Sequence, residues 1–212
     1  MKQYPISRDG WSYLIVLGLL TAICYWIWPW VAILPGALFF FVLYFFRNPE
    51  RSIPEDKGLL VSPADGVIMD VERVFEEHFL KGESIRIRIF LNVFNVHVNR
   101  SPMAGQIVYR YYRPGKMLPA FKSHASEINE KNFIGIEQDN LKILVTQVTG
   151  FIARRIVCWV DNGDVLARGE RFGLIKFGSC TEIFLPPNVE VTVKPGEKVR
   201  GGETVVGRVN IE

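Results

Sequence analysis

A chain of 212 residues, 49% hydrophobic and carrying a net charge of +3, is long enough for one or two domains with a real core. The mild basicity suits work beside anionic lipid headgroups and equally an ordinary solvated surface, but the sequence has no dense basic run of the kind nucleic acid requires. Three cysteines (Cys24, Cys158, Cys180) are odd in number and widely spaced, so they form neither a disulfide framework nor a metal pair and fit a reducing compartment.

The hydrophobic excess is local. Residues 1–10 are polar, with Lys2 and Arg8, and the next 36 residues, Trp11 to Phe46, contain no charge. That run is too long for the apolar core of a signal peptide, and no small-residue cleavage site follows it. It also exceeds the ~20 residues a single helix needs to cross a bilayer. Trp28-Pro29-Trp30 and then Pro35-Gly36 offer a break. The expectation is a hairpin of two short transmembrane helices, with one tilted helix plus an interfacial piece as the alternative. Trp26, Trp28 and Trp30 match an interfacial aromatic belt. Lys2 and Arg8 precede the segment, and Arg47, Arg51 and Lys57 follow it. The positive-inside rule therefore puts both ends of a hairpin in the cytoplasm, with the domain that follows.

Beyond Arg51 the pattern is mostly β. Leu59-Leu60-Val61 leads into Ser62-Pro63-Ala64-Asp65-Gly66, a turn by its residue types, and Val67 to Val74 returns as a strand. Ile85-Arg86-Ile87-Arg88-Ile89 alternates with the period of a half-buried strand. Val93 to Asn99 alternates again around His97, and Ile107 to Tyr112 is a further strand ended by Pro114-Gly115. Leu118 to Asn132 is less regular and has room for a short helix. Strands are expected from Ile134, over Leu141 to Thr149 and over Ala153 to Val160. The tail from Val191, with Pro195-Gly196 and Gly201-Gly202, has the turn spacing of one half of a lipoyl-like barrel, and the Pro-Ala-Asp-Gly hairpin is a candidate for the other half. The fold class is mainly β: one catalytic domain over residues 47–212, after an anchor over residues 1–46.

The chemistry concentrates at Gly178-Ser179, between the apolar runs Leu174 to Phe177 and Ile183 to Leu185. Glycine permits backbone conformations closed to other residues, so the Gly178 carbonyl can be presented to the Ser179 hydroxyl. Attack would turn the amide into an ester, and elimination would leave residue 179 as an N-terminal pyruvoyl group. Read alone, the pair is equally a bulge or turn between two strands.

The segment Gly169-Glu170-Arg171-Phe172-Gly173-Leu174-Ile175-Lys176-Phe177-Gly178-Ser179 resembles the self-cleavage region of phosphatidylserine decarboxylases. Phe45-Phe46-Arg47-Asn48-Pro49-Glu50-Arg51, Ser62-Pro63-Ala64-Asp65-Gly66 and Ile152-Ala153-Arg154-Arg155-Ile156-Val157 resemble further motifs of that family in order and spacing. The resemblance implies a membrane-anchored enzyme that decarboxylates phosphatidylserine to phosphatidylethanolamine. Its pyruvoyl cofactor would be made from Ser179, would hold substrate as a Schiff base and would serve as electron sink. Cleavage between Gly178 and Ser179 would leave fragments 1–178 and 179–212 held by a shared sheet, with association as a homodimer left open.

The resemblance also nominates residues. Phe94-Asn95-Val96-His97-Val98-Asn99-Arg100-Ser101-Pro102 resembles the family's catalytic histidine region. Where many members carry two histidines, this chain has His97, with Arg100 near the second position. Asp65 is the carboxylate expected to orient the ring, as in hydrolase triads. His78, beside Glu76-Glu77, is expected in solvent. Lys122 and His124 lie in a stretch similar to a family segment near the substrate, where Lys131 stands in place of the more usual arginine, and are candidates for headgroup contact. Cys180 departs from the usual Ser or Thr and puts a thiol beside the nucleophile. No metal-ligand pattern, P-loop or dinucleotide fingerprint is present.

Two other readings stand beside this one. A membrane-tethered lipoyl-like adaptor or carrier would use the same hairpins, but a carrier needs a modifiable lysine at the hairpin tip, where this chain has Pro63-Ala64-Asp65-Gly66. A decarboxylase of another serine-linked lipid, such as the archaeal ether lipid archaetidylserine, would differ only in pocket shape.

Overall fold

A computed structural model of the protein describes residues 4–116, 118, 128–150, 155–176 and 179–209. The chain forms two compact units, residues 1–50 and 51–212. In the first, helix α1 (Trp11–Ile27) and helix α2 (Ile33–Phe45) flank a single 3-10 turn, Pro29–Ala32. The break falls at Trp28-Pro29, where Trp28 is extended and Pro29 starts the new turn, as proline's fixed φ and missing N–H favour. Pro35-Gly36 instead lies in the first turn of α2, where a proline costs no helical hydrogen bond. The two helices meet through small groups, Gly18 against the Phe39 ring and Gly36 against Thr21. Thr21 spends its hydroxyl on the Leu17 carbonyl at 2.7 Å, so that hydroxyl is not stranded on this apolar surface. Ser7 donates its N–H to the Phe46 carbonyl and Asn48 to that of Pro5, tying the two ends of the unit together. The stretch Arg8–Ile27 is long and apolar enough to cross a membrane, and the helix after the break is shorter.

The second unit is a β structure. Its strands are β1 (Leu59–Val61), β2 (Gly66–Glu76), β3 (Gly82–Leu91), β4 (Val98–Arg100), β5 (Gly105–Arg113), β6 (Lys131–Gln138) and β7 (Leu141–Thr149). They continue as β8 (Arg155–Cys158), β9 (Val165–Leu166), β10 (Arg171–Lys176), β11 (Ser179–Leu185), β12 (Glu190–Val191), β13 (Lys198–Val199) and β14 (Val205–Arg208). One sheet runs β13-β2-β3-β11-β7-β6-β5-β9, and two smaller ones run β4-β10-β8 and β1-β14-β12. The alternation in β3 has the expected consequence. Ile85, Ile87 and Ile89 are buried, while Arg86 and Arg88 pair across the strand with Glu72 and Asp70 of β2, the cross-strand unit of sheet stability.

The central strand β11 is buried along its whole length. Ile183 and Leu185 join the main core with Ile87, Ile89, Val145 and Ile134. Phe184 packs on the opposite face with Phe133 and Leu144, and Cys180 packs there with Val148. Successive strand residues face opposite ways, so Ser179 and Thr181 share the face of the main core. The two lipoyl-like halves do meet: Lys198 and Val199 pair with Val67 and Gly66, and Gly202 donates its N–H to the Ser62 carbonyl.

One expected strand is absent. Val93 to Asn99 alternates in sequence, yet extended pairing begins only at Val98. Asn92 and Asn95 close a turn instead. The Asn95 side chain accepts from the Asn92 amide and the Asn92 side chain from that of Phe94, both at 2.9 Å, the local competition with strand pairing that asparagine offers. The short helix expected within Leu118 to Asn132 falls largely outside the described residues.

Candidate active site

Strand β10 ends at Lys176 in a small sheet and β11 begins at Ser179 in the large one. The Gly178-Ser179 pair therefore sits where the chain passes from one sheet to the other, and Gly178 itself lies outside the described residues. Ser179 pairs with Leu91 on one side and Thr149 on the other. It is wholly buried, and its Oγ has no hydrogen-bond partner among the described residues. A buried hydroxyl without a partner is uncommon because it forfeits hydrogen bonds it had in water. The Ser179 side chain therefore holds no structure through hydrogen bonds to the described residues.

His97 reaches the same region by backbone pairing. β4 lies against β10, and Ile175 donates its N–H to the His97 carbonyl at 3.3 Å, two residues before the crossover. The imidazole is buried, with Nδ1 2.9 Å from the Asn95 carbonyl. A carbonyl can only accept, so Nδ1 is the protonated nitrogen of this contact.

The structure shows which partners Asp65 has. Its carboxylate meets the Arg51 guanidinium at 3.0 and 2.8 Å, and Oδ1 also accepts from the Gly201 amide at 2.8 Å. The ring nitrogen that resemblance would give to Asp65 is on a backbone carbonyl instead. Asp65 is a brace between the 62–66 turn, Arg51 and the 201–204 turn. Arg51 also reaches Glu203 at 3.4 Å. A paired guanidinium and a backbone donor hold a carboxylate more firmly than an imidazole would.

The expected place of His78 in solvent is corrected. It is half-buried, its ring 4.5 Å from that of Phe133 and 6.0 Å from that of Tyr111. The cause is Glu76, whose carboxylate accepts from the amides of His78, Phe79 and Leu80 at 2.7 Å each and curls the chain back over the sheet. Lys122 and His124 lie outside the described residues. Lys131 forms a buried ion pair with Glu182 at 3.0 Å on the face of β11 opposite Ser179. Arg100 is buried and donates to the Gly169 carbonyl at 2.9 Å.

Cys180 faces away from Ser179. Burial, aided by the nearby Glu182 charge, pushes its thiol well above the usual range, and a thiol that stays protonated is a poor nucleophile. It does not compete with Ser179.

Sequence reasoning missed a set of buried amides. Asn99 donates to the Thr181 hydroxyl at 3.0 Å, Gln147 to Asn99 at 2.9 Å and Asn132 to Gln147 at 2.8 Å. The available signal was polar residues in inward register with Ile134, Val145 and Ile183. Gly173 leaves room for them: a Cβ there would lie 2.4 Å from the Val157 carbonyl and 3.1 Å from Gln147 Nε2. Gly173→Ala is therefore expected to cost about 3 kcal/mol through overpacking, read as a lowered urea midpoint of the detergent-solubilised protein.

A buried serine opening the central strand β11, and a buried histidine whose carbonyl accepts from β10 of the adjoining sheet, are set in a domain that is β throughout. The family description of phosphatidylserine decarboxylase matches residues 38–207. A protein of Carboxydothermus hydrogenoformans titled phosphatidylserine decarboxylase proenzyme is 57% identical over 203 residues, covering 95% of each chain. Proteins of the same title from Symbiobacterium thermophilum and Syntrophus aciditrophicus are 48% identical (99% of this chain, 98% of the relative) and 45% identical (95% and 96%). The chain belongs to the phosphatidylserine decarboxylase family.

Proposed function

We propose that this chain decarboxylates phosphatidylserine to phosphatidylethanolamine, as a precursor that cuts itself between Gly178 and Ser179 and carries a pyruvoyl group at residue 179. Family membership over nearly the whole chain supports the activity. The observation that carries the site is the buried Ser179 hydroxyl, unpartnered among the described residues. The pyruvoyl group supplies a ketone conjugated to a carbonyl, an electron sink for the pair left when carbon dioxide departs.

The chain's own residues do the rest. His97 takes the Ser179 Oγ proton on Nε2 while the Asn95 carbonyl fixes the ring. Oγ bonds to the Gly178 carbonyl carbon and the Gly178–Ser179 C–N bond breaks, giving an ester with a free amine at residue 179. Loss of the residue-179 Cα proton and scission of its Cβ–Oγ bond release Gly178 as a carboxylate. Water then replaces the nitrogen, which leaves as ammonia. Asp65, braced by Arg51 and Gly201, holds the 62–66 turn beside Asn99. Lys122 and His124 are assigned to headgroup contact.

Intact mass spectrometry tests this reading. Two fragments should appear, 1–178 and 179–212, the smaller lighter by one ammonia than a serine-initiated peptide. A single chain at full precursor mass in active protein would overturn it.

The anchor is residues 1–46, with both ends on the cytoplasmic side by the positive charges at Lys2, Arg8, Arg47, Arg51 and Lys57. The protein should stay with the membrane pellet through an alkaline carbonate wash, and release into the supernatant would exclude an integral anchor.

A further inference from the structure

The interior face of the large sheet changes character along β11. The rung through Ile183, Val145 and Ile134 is apolar, while the next rung, through Thr181, Gln147 and Asn132, is polar. Asn99, from β4, lies across it, and all four polar residues are buried. Neutral amides in a core cost free energy unless their hydrogen bonds are made. Here three are made in one direction, Asn132 Nδ2 to Gln147 Oε1, Gln147 Nε2 to Asn99 Oδ1 and Asn99 Nδ2 to Thr181 Oγ1, while Asn132 Oδ1 has no partner among the described residues.

The direction is not arbitrary. Asn99 Nδ2 also faces the Pro63 carbonyl at 3.4 Å, and a carbonyl can only accept, so that atom must be the nitrogen. Asn99 Oδ1 then faces Gln147, which must donate, and Gln147 Oε1 faces Asn132, which must donate as well. Aligned amides polarise one another. The chain ends on a hydroxyl whose oxygen already accepts, and among the described residues the Thr181 proton has no acceptor. Two residues away on the same face is the Ser179 Oγ, also without a partner. Inward neighbours on one strand are about 7 Å apart at Cα, and two hydroxyls that lean toward each other along the strand come within reach of one bridging water, about 2.8 Å from each.

We propose that Thr181 belongs to the self-processing machinery. Its hydroxyl donates, across one bridging water, to Ser179 Oγ, the oxygen that gains charge as it loses its proton and again as it leaves with the Gly178 carboxylate. Asn99, Gln147 and Asn132 are positioning residues that fix the direction of this donor. The inference rests on self-cleavage at residue 179, and the test separates the two.

Precursor is made rapidly by cell-free synthesis in the presence of detergent, and the cut fraction is followed by gel and intact mass. Thr181→Val keeps the shape and removes the hydroxyl; it should slow cleavage about ten-fold, the effect of one hydrogen bond to a reacting oxygen. Thr181→Ser should restore most of the rate. Gln147→Leu should slow cleavage similarly in the wild-type background yet add nothing in Thr181→Val, because both act through one route. Should Thr181→Val not fold, Thr181→Cys carries the same test, its weak donor giving an intermediate rate. Wild-type cleavage in Thr181→Val or Thr181→Cys, or additive slowing in the double variant, would overturn the proposal while leaving Ser179 chemistry intact. An uncut wild type would instead overturn the reading beneath it.

Discussion

Ser179→Ala should remain one chain of 212 residues and have no decarboxylase activity. The variant lacks the oxygen that would attack Gly178, so no ester forms and no ketone follows. The fold should survive, because the Ser179 side chain makes no hydrogen bond among the described residues and β11 stays paired through its backbone with β3 and β7. Removing an unpartnered buried hydroxyl relieves a desolvation cost, so the variant's melting temperature should equal or exceed that of uncut wild type. Loss of activity without loss of stability is what separates a reactive serine from a structural one. Ser179→Cys retains a nucleophile and should cleave slowly. In the wild type, cyanoborohydride with phosphatidylserine should couple substrate to the 179–212 fragment. Coupling to a lysine of the larger fragment, or full activity in Ser179→Ala, would remove residue 179 from the chemistry and restore the adaptor reading.

The same scheme asks the domain to survive a break in its central strand order, and its bonds are placed for that. The break would fall between β10 and β11, which lie in different sheets, so no strand is cut. The smaller fragment would keep β11 between β3 and β7, the buried Lys131–Glu182 pair, the Arg51–Glu203 contact and the Gly201 amide on Asp65. Each joins a residue before the cut to one after it.

How much of this was legible in the sequence depended on whether the signal was local. β3 was readable because Ile and Arg alternate at period two and both faces have a use for what they receive. The break between α1 and α2 was readable because proline acts on its own backbone. The loop before His97 was misread: Val93, Val96 and Val98 look like a strand, while the deciding bonds come from Asn92 and Asn95 to neighbouring amides. Asp65 was legible as a residue of consequence but not as the partner of Arg51, which stands 14 positions earlier and meets it only in the fold. The amide chain from Asn132 to Thr181 joins four strands, β6, β7, β4 and β11. Nothing in the sequence near any one of its members announces the others.

His97→Ala should leave uncut precursor, slowed by about 10²- to 10⁴-fold as expected for loss of a general base, whereas His78→Ala should cut normally. The contrast follows from what each ring touches. His97 is buried just before β4, the strand paired with β10, and its Nδ1 proton is committed to the Asn95 carbonyl, so the proposed transfer from Ser179 is to Nε2. His78 lies against the rings of Phe133 and Tyr111, and its loss should cost some packing and no chemistry. His97→Gln separates geometry from basicity: an amide can donate to Asn95 but cannot take up a proton, so this variant should also stay uncut while melting close to wild type. Asp65→Asn should slow cleavage less than either, since it loosens the Arg51 brace without touching the ring. Equal cleavage in His97→Ala and His78→Ala would take His97 out of the role of base. Cleavage lost in Asp65→Asn but kept in His97→Gln would transfer that role to the carboxylate.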